Sequence, residues 1–304
     1  MNLTRRQFGL ATLALGATAL AGPARAQETR SITTSLGTYD IPLQPQRVVV
    51  VDPRLDLEPA LALGLPVVAY SLSDHVEPWV PVPESAVFLG APATRETVLV
   101  QEPDLIVCTD IPGSEYWPID QLKDIAPVLP VDYELDWKDN LRRLGGWLDR
   151  ADRAEAFLAE YEARLATARA VQGEKIAERK VAALWYEPSS GQLQFLLGTA
   201  SKNVTLAGQV LDDLGGRTID PAPLEDYGLV SLENMGGLLA DVDAILFDIG
   251  DDDTRRIALE ATELWPRVPA VAAGRVHWTD GIYYGGGYGA TRLIGEWEKT
   301  YALI

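Results

Sequence analysis

Residues 151–171, ADRAEAFLAEYEARLATARAV, run for 21 residues without a glycine or a proline. Ala154, Leu158, Tyr161, Leu165 and Ala168 recur at steps of four, three, four and three, which lays them along one face of an α-helix. Glu160 and Arg164 stand four apart on another face, the spacing of a favourable ion pair. At 1.5 Å per residue such a segment is a rod of about 30 Å. A Gly/Ser-rich linker would let the flanking halves tumble; this strut, read as residues 151–175, holds them at a fixed distance.

Both flanks carry the same alternation. In the first, RVVVV at residues 47–51 is a β-branched run that suits a strand buried on both faces. A helical pattern at 55–63 closes at Gly64, and further strands are read at 66–70, 103–108 and 126–131. In the second, KVAALWY at 180–186 is a strand, 203–214 a helix closed by Gly215-Gly216, DAILFDI at 243–249 a strand and 275–278 a last short one. An amphipathic helix at 291–303 ends the chain. Strands separated by helices indicate parallel βαβ units. The fold class is therefore α/β: two parallel-sheet, Rossmann-like lobes at residues 27–150 and 176–304, joined by one long rigid helix with a cleft between them.

Charge and rare residues narrow the function. The 304 residues hold 44 acidic against 26 basic side chains, a formal −18 that repels phosphate backbones and speaks against a nucleic-acid partner. Cys108 is the sole cysteine, which excludes an intrachain disulfide and a cysteine metal cage; inside a strand it reads as a small buried apolar residue. With only His75 and His277, a multi-histidine metal site is not expected.

The opening MNLTRRQFGLATLALGATALAGPARAQ is an address. Arg5 and Arg6 precede an uncharged run at residues 9–24, and Ala24-Arg25-Ala26 supplies small residues for a signal peptidase. That run of 16 residues, rich in Gly and Ala, is short for a membrane span of about 20. Thr4-Arg5-Arg6-Gln7-Phe8 resembles the twin-arginine export signal. No cysteine follows the run, so residues 1–26 are expected to be removed and to leave a soluble, unanchored periplasmic protein. Losing Arg5, Arg6 and Arg25 and no acid takes the formal −18 to −21.

Two segments echo each other across the halves. Thr94-Arg95-Glu96 precedes VLVQEPDLIV, and Ser231-Leu232-Glu233 precedes a helical stretch ending in ADVDAILF. Each has Ser/Thr as a helix N-cap with Glu two residues on, where the helix dipole favours an acid. From that Glu to the Asp that opens the strand is eight residues in the first copy and ten in the second, the extra two falling around Gly236-Gly237.

In order and spacing, PQRVVVVD with LALGLPVV, EPDLIV, the strut, VLDDLGG, VDAILF and GRVHWTDG resemble the periplasmic substrate-binding proteins of iron–siderophore and vitamin B12 importers, the class with a helical backbone. The resemblance spans nearly all of the chain after residue 27. It implies a protein that is not an enzyme and has no resident cofactor, iron arriving only inside a chelate. It further implies a monomer that delivers its ligand to the permease dimer and ATPase of an ATP-binding-cassette importer. One Glu per lobe docks in such proteins on arginine pockets of the permease; by position these are Glu96 and Glu233.

The ligand should meet the loops that follow the strands. Those loops hold Trp79, Tyr116, Trp117, Trp185, Tyr186, Trp278, Tyr283, Tyr284 and Tyr288, aromatic faces with polar tips that suit a bulky chelate. About half are expected to pack lobe cores instead. Arg54, Arg95 and Lys202 are the cations in reach. The resemblance to hydroxamate-siderophore binders implies an arginine against the iron-binding groups, a role open to Arg95 or Arg54. No arginine cluster fits a strongly anionic catecholate, so a ferric hydroxamate or other near-neutral chelate is favoured. Vitamin B12 and haem are the alternatives, with His75 or Tyr116 against the metal of a haem.

A secreted α/β hydrolase is the rival from another class, but no G-x-S-x-G occurs and neither histidine has a partnered serine. Gly285-Gly286-Gly287-Tyr288-Gly289 superficially resembles a phosphate loop; lacking a Lys-Ser/Thr ending, it reads as a turn. A partner-docking or redox-signalling module is a further rival, distinguished by its silence toward ferric chelates.

Overall fold

The first lobe begins with an antiparallel hairpin, β1 (Thr29–Thr34) and β2 (Gly37–Pro42). There follow β3 (Val48–Val50), α1 (Leu57–Ala62), β4 (Val67–Tyr70), β5 (Val87–Phe88), α2 (Arg95–Leu99), β6 (Leu105–Asp110), α3 (Ile119–Leu122), β7 (Val128–Asp132) and α4 (Trp137–Trp147). The computed structural model describes residues 28–73, 76–199, 204–224, 226–250 and 253–304. The segment read as an export signal, His75 and Lys202 lie outside the described residues. The five strands order as β5-β4-β3-β6-β7, every neighbouring pair parallel. The β-branched run explains the centre of this sheet. Val48 and Val50 enter the core shared with the helices behind, while Val49 and Val51 enter a second core with Cys108 and Leu122. Both faces are apolar because both are covered.

The strut is α5 (Ala151–Glu178), 28 residues long and about 42 Å at a helical rise. It outruns the segment read from sequence because Gly173 faces open space and costs only its backbone entropy. The five periodic residues Ala154, Leu158, Tyr161, Leu165 and Ala168 are all buried, with Ile176 extending the same face. The expected Glu160–Arg164 pair does not form: Arg164 instead binds Glu298 through both guanidinium nitrogens, a bidentate geometry on a rigid neighbour.

The second lobe contains β8 (Val181–Glu187), β9 (Gln192–Phe195), α6 (Leu206–Leu214), β10 (Leu229–Ser231), α7 (Leu232–Leu238), β11 (Ala244–Asp248), α8 (Thr254–Glu260), α9 (Pro269–Ala272), β12 (Val276–Thr279) and α10 (Gly287–Tyr301). Its sheet runs β10-β9-β8-β11-β12. Parallel pairing holds for β8, β11 and β12, but β9 and β10 add antiparallel strands at one edge, so this sheet is mixed rather than all parallel. Gly215 closes α6 in the left-handed conformation (φ 76°), a backbone setting that glycine adopts without steric cost.

One apolar core crosses the whole molecule. Val50 and Val107 of the first sheet and Leu246 and Ala183 of the second belong to a single contiguous cluster, with Leu158 and Leu165 of the strut between them. Helices α1, α6 and α10 contribute Leu57, Leu211 and Leu293 to the same cluster. The lobes are thus not two beads on a rod. Their inner faces and the strut share packing, which opposes large hinge motion.

The echoed segments occupy equivalent places. Each leads from a short helix into the strand next to one edge of its sheet, α2 into β6 and α7 into β11. Helix α7 has seven residues against five in α2, and Gly236 and Gly237 lie within it. Thr94 caps α2 by accepting from the Thr97 amide, and Thr97 completes the box, leaving Glu96 exposed in the first turn. Ser231 occupies the corresponding N-cap without a side-chain hydrogen bond, and Glu233 is likewise exposed.

Candidate functional site

A cavity of about 480 Å³ opens between the lobes where parallel strands of both sheets end. Its chemistry begins at the turn after β3. Asp52 is fully buried and its Oδ1 accepts from the amides of Arg54 (2.7 Å) and Leu55 (3.2 Å), which fixes the turn. The same carboxylate then aims two side chains: it accepts from Arg54 Nε (3.2 Å) and Nη2 (3.0 Å) and from Trp117 Nε1 (3.1 Å). Asp56, one helical turn on, accepts from the Asp52 amide (2.8 Å) and the Thr109 hydroxyl (2.7 Å). Burial, and next the Asp52 charge, push the Asp56 carboxyl well above the ordinary carboxylate range.

From Trp117 a chain of rings crosses the cleft. Trp117 meets Tyr133 (centroids 6.3 Å), Tyr133 meets Tyr284 (6.3 Å), Tyr284 meets Tyr283 (4.3 Å) and Tyr283 meets Trp185 (6.0 Å). The first two belong to the first lobe and the last three to the second. The crossing point is a hydrogen bond between the Tyr133 and Tyr284 hydroxyls at 3.0 Å. Tyr116 extends the arc outward from Trp117 into solvent. Arginines lie over two of the rings: Arg54 over the central Tyr284 at 5.0 Å and Arg255 over the terminal Trp185 at 4.8 Å. The antiparallel strand β9 has a role here, since buried Gln194 donates to the Tyr283 hydroxyl at 2.9 Å.

The remaining wall is acidic. Asp248, at the end of β11, accepts from the Gly250 (2.8 Å) and Ile282 (3.3 Å) amides, and burial pushes its carboxyl up to about 6. Glu58 of α1 reaches the other lobe, where it accepts from the Tyr288 (2.8 Å) and Gly289 (2.9 Å) amides at the start of α10; burial pushes it up to about 7. Arg292 of α10 lies 3.9 Å from the centre of the Trp79 ring and bonds Asp280 and Thr279, a further link between lobes.

Of the residues read as ligand contacts, Arg54, Trp79, Trp185, Tyr283 and Tyr284 line this cavity, and Trp117 stands in the arc behind Arg54. Four are elsewhere. Arg95 binds the Gln121 carbonyl (3.2 Å) and Asp124 (3.5 Å) on the α2–α3 surface, because an arginine beside exposed acids pairs locally. Tyr186 points to the opposite face of β8 from Trp185 and is 5% exposed, packed in the outer core. Trp278 stacks on Phe247 (4.8 Å) and Trp265 (6.1 Å) in that same core. Tyr288 packs edge-on against Phe157 of the strut. Sequence reasoning missed Arg255 and Tyr133, although the loop rule that found the others, applied to the strands ending at Asp248 and Asp132, reaches both. His277 binds Glu296 at 2.6 Å and does not line the cavity. Among the described residues no three His, Cys, Asp or Glu side chains gather to hold a metal ion.

Known proteins place this architecture. A FhuD fold-family periplasmic binding protein from Bacillus subtilis superposes with a TM-score of 0.74 at 21% identity, over 88% of this chain and 98% of that one. A periplasmic solute binding protein from Mycobacterium smegmatis gives 0.71 at 18% identity, over 90% and 98%. In sequence, the probable siderophore-binding lipoprotein YfiY of Bacillus subtilis is 25% identical over 91% of this chain and 88% of its own length. The ferric enterobactin-binding periplasmic protein FepB of Escherichia coli is 26% identical over 82% and 83%. Residues 87–283, which carry both echoed helices, most of the aromatic arc and the whole strut, match the periplasmic binding protein family, and the chain belongs to it.

Proposed function

We propose that this chain captures a ferric siderophore in the cleft and hands it to the permease of an ATP-binding-cassette importer. The observation that carries this reading is the unbroken arc Trp117–Tyr133–Tyr284–Tyr283–Trp185, built from both lobes, with Arg54 over its central ring and Arg255 over one end. Rigid rings with polar tips bind a large, partly apolar chelate with little loss of side-chain entropy. The named relatives are described as binding siderophores or ferric enterobactin, which supports the same class of ligand.

Charge refines the class. Arg54 is neutralised by Asp52, and Arg255 faces a cavity that also holds Glu58, Glu77 and Asp248. Such a wall disfavours a chelate of high negative charge and favours a hydroxamate-like or other near-neutral one. Iron enters coordinated by its chelator, so the protein supplies shape and hydrogen bonds and no resident cofactor. Arg54, Trp79, Trp117, Trp185, Tyr283 and Tyr284 are the ligand contacts carried forward from the sequence, with Arg255 and Tyr133 added.

Exposed Glu96 and Glu233, at equivalent helix starts of the two lobes, are the docking points on a two-fold permease. Residues 1–26 act as a twin-arginine export signal, and the remainder works as an unanchored monomer in the periplasm, residues 27–150 and 176–304 forming the lobes about the helix. Titration of tryptophan fluorescence with ferrichrome, ferrioxamine B, ferric enterobactin, cyanocobalamin and haem tests the reading. Saturable quenching by the two ferric hydroxamates is expected; saturation by cyanocobalamin or haem alone would overturn it.

A further inference from the structure

The glycine-rich run at residues 285–289 offers its amides as a phosphate loop does, but the acid it holds is part of the protein. Its backbone amides at Tyr288 and Gly289 open α10 and both donate to one oxygen of Glu58 (2.8 and 2.9 Å), a side chain planted 230 residues earlier in the other lobe. The seat is shaped for it. A Cβ on Gly286 would stand 2.9 Å from the Glu58 Cβ, and one on Gly289 would stand 3.0 Å from Leu206. Glu58 is 3% exposed and borders the same cavity as Arg54 and Tyr284. The strap that carries Tyr283 and Tyr284 therefore has one anchor immediately after it, and that anchor comes from the facing lobe.

We propose that Glu58 is a positioning residue of the capture cleft: its carboxyl, seated on the first amides of α10, holds the Tyr283–Tyr284 wall against the first lobe in the geometry that receives the ligand. The wall has further anchors, Gln194 on the Tyr283 hydroxyl and the Leu206 amide on the Tyr283 carbonyl (3.0 Å), but those bonds lie within the second lobe and cannot set the distance between lobes. The Tyr133–Tyr284 contact does cross the cleft, yet Tyr133 is 39% exposed and its bond competes with water. Glu58, at 3% exposure, is a crossing contact with no such competition.

The seat also has a pH sense. Among the described residues the groups facing Glu58 are Glu77 from the 76–80 loop and Tyr288 on α10, with Arg54 and Asp248 further off on the cavity wall and apolar Leu206 of α6 against the glycines. Burial pushes the seated carboxyl up to about 7, whereas one released into water returns to the ordinary range, so acid favours the seated state and alkali loosens it. Glutamine is the uncharged isostere of the acid form.

The role rests on the capture reading above, but its first test does not need a ligand. Hydrogen exchange of the peptide covering residues 283–291 is followed in wild type, Glu58→Ala, Glu58→Gln and Gly286→Ala, at pH 6 and pH 8 with intrinsic rates corrected. Alanine at either position should speed exchange at the α10 amides by about tenfold or more, and Glu58→Ala should weaken ferrichrome about tenfold, the loss of one hydrogen bond's worth of positioning. Glu58→Gln should restore both and remove the difference between pH 6 and pH 8 that wild type shows. Unchanged exchange in Glu58→Ala would overturn the anchor. Faster exchange with unaltered ferrichrome affinity would overturn its service to capture. Should wild type bind no ferric chelate, the chelate reading falls by itself, and unchanged Trp185 emission in Glu58→Ala would then sink the positioning role as well.

Discussion

Tyr133 and Tyr284 join hydroxyl to hydroxyl at 3.0 Å, one from each lobe, and carry the arc of aromatic side chains across the cleft. Their rings lie 6.3 Å apart, so the pair combines a polar contact with an edge of apolar packing. Tyr284→Phe keeps the ring and removes the bond; a neutral hydrogen bond contributes about 0.5–1.5 kcal/mol, hence a loss of roughly 2–10-fold in chelate affinity. Tyr133→Phe should cost the same, and the double variant no more than either alone. Fluorescence titration of the four proteins closes the cycle, and additive losses would show that the hydroxyls act independently.

Asp52 organises more of the site than any residue it aims. Its carboxylate holds Arg54, Trp117 and the turn after β3 while fully buried. Asp52→Ala should destabilise the protein by about 2–4 kcal/mol, more than Arg54→Ala, because it leaves buried amides and the indole N–H without an acceptor. Removing the neighbouring charge should also let the Asp56 carboxyl fall back toward its ordinary range. Urea denaturation ranks the variants; an Arg54→Ala that is the more damaging of the two would contradict this account.

Much of this was legible in the sequence because the signals were periodic and local. The five apolar residues of the strut point inward as their spacing requires, and RVVVV forms the doubly covered strand. What escaped was non-local. Gln192 to Phe195 alternates polar and apolar too briefly to declare an edge strand, and its partner β10 lies more than thirty residues on. Arg164 had a partner four residues away by helix geometry, but Glu298 offers both oxygens and wins. Glu58 sits in an apolar helical pattern with nothing nearby to suggest that its partners are backbone amides 230 residues later. Tyr186 and Trp185 look alike in sequence; only the pleat decides that one faces the cleft and the other the core.

Docking should be separable from capture. Glu96 and Glu233 are exposed and lie outside the cavity lining, so replacing both by alanine should abolish chelate uptake by cells while leaving ferrichrome affinity within about twofold. Radioactive-iron uptake in iron-starved cells, set beside fluorescence titration of the purified variant, distinguishes the two. A parallel loss of affinity would place these residues in the pocket instead.

Two buried acids give the stability a definite pH slope. Glu58 at about 7 and Asp248 at about 6 hold their protons more tightly than in the unfolded chain, where about 4.5 and 3.8 apply. The folded state then binds the extra protons, so the stabilisation is complete below the unfolded values and is lost as pH rises through about 6 and 7. Each shift is worth roughly 3 kcal/mol at most. The urea midpoint should fall between pH 5 and pH 8, and Glu58→Gln with Asp248→Asn should flatten that fall; an undiminished slope in the double variant would assign it to other groups.

The shared core makes a last demand, on cooperativity. If the lobes were independent, damage to the strut would be felt as loosened tethering, and each lobe would keep its own transition. Here Leu158 and Leu165 lie in the same apolar cluster as Val50 of one sheet and Leu246 of the other, and neither is more than 3% exposed. Leu165→Ala should therefore cost about 2–5 kcal/mol, the range for an unfilled core cavity, and lower the stability of both lobes together. Calorimetry should show one transition in wild type and one, shifted downward, in the variant, with Trp147 and Trp265 reporting the same midpoint from the two lobes. Two resolved transitions would mean that the cluster is contiguous in space but not in energy, and that closure of the cleft is freer than the packing implies.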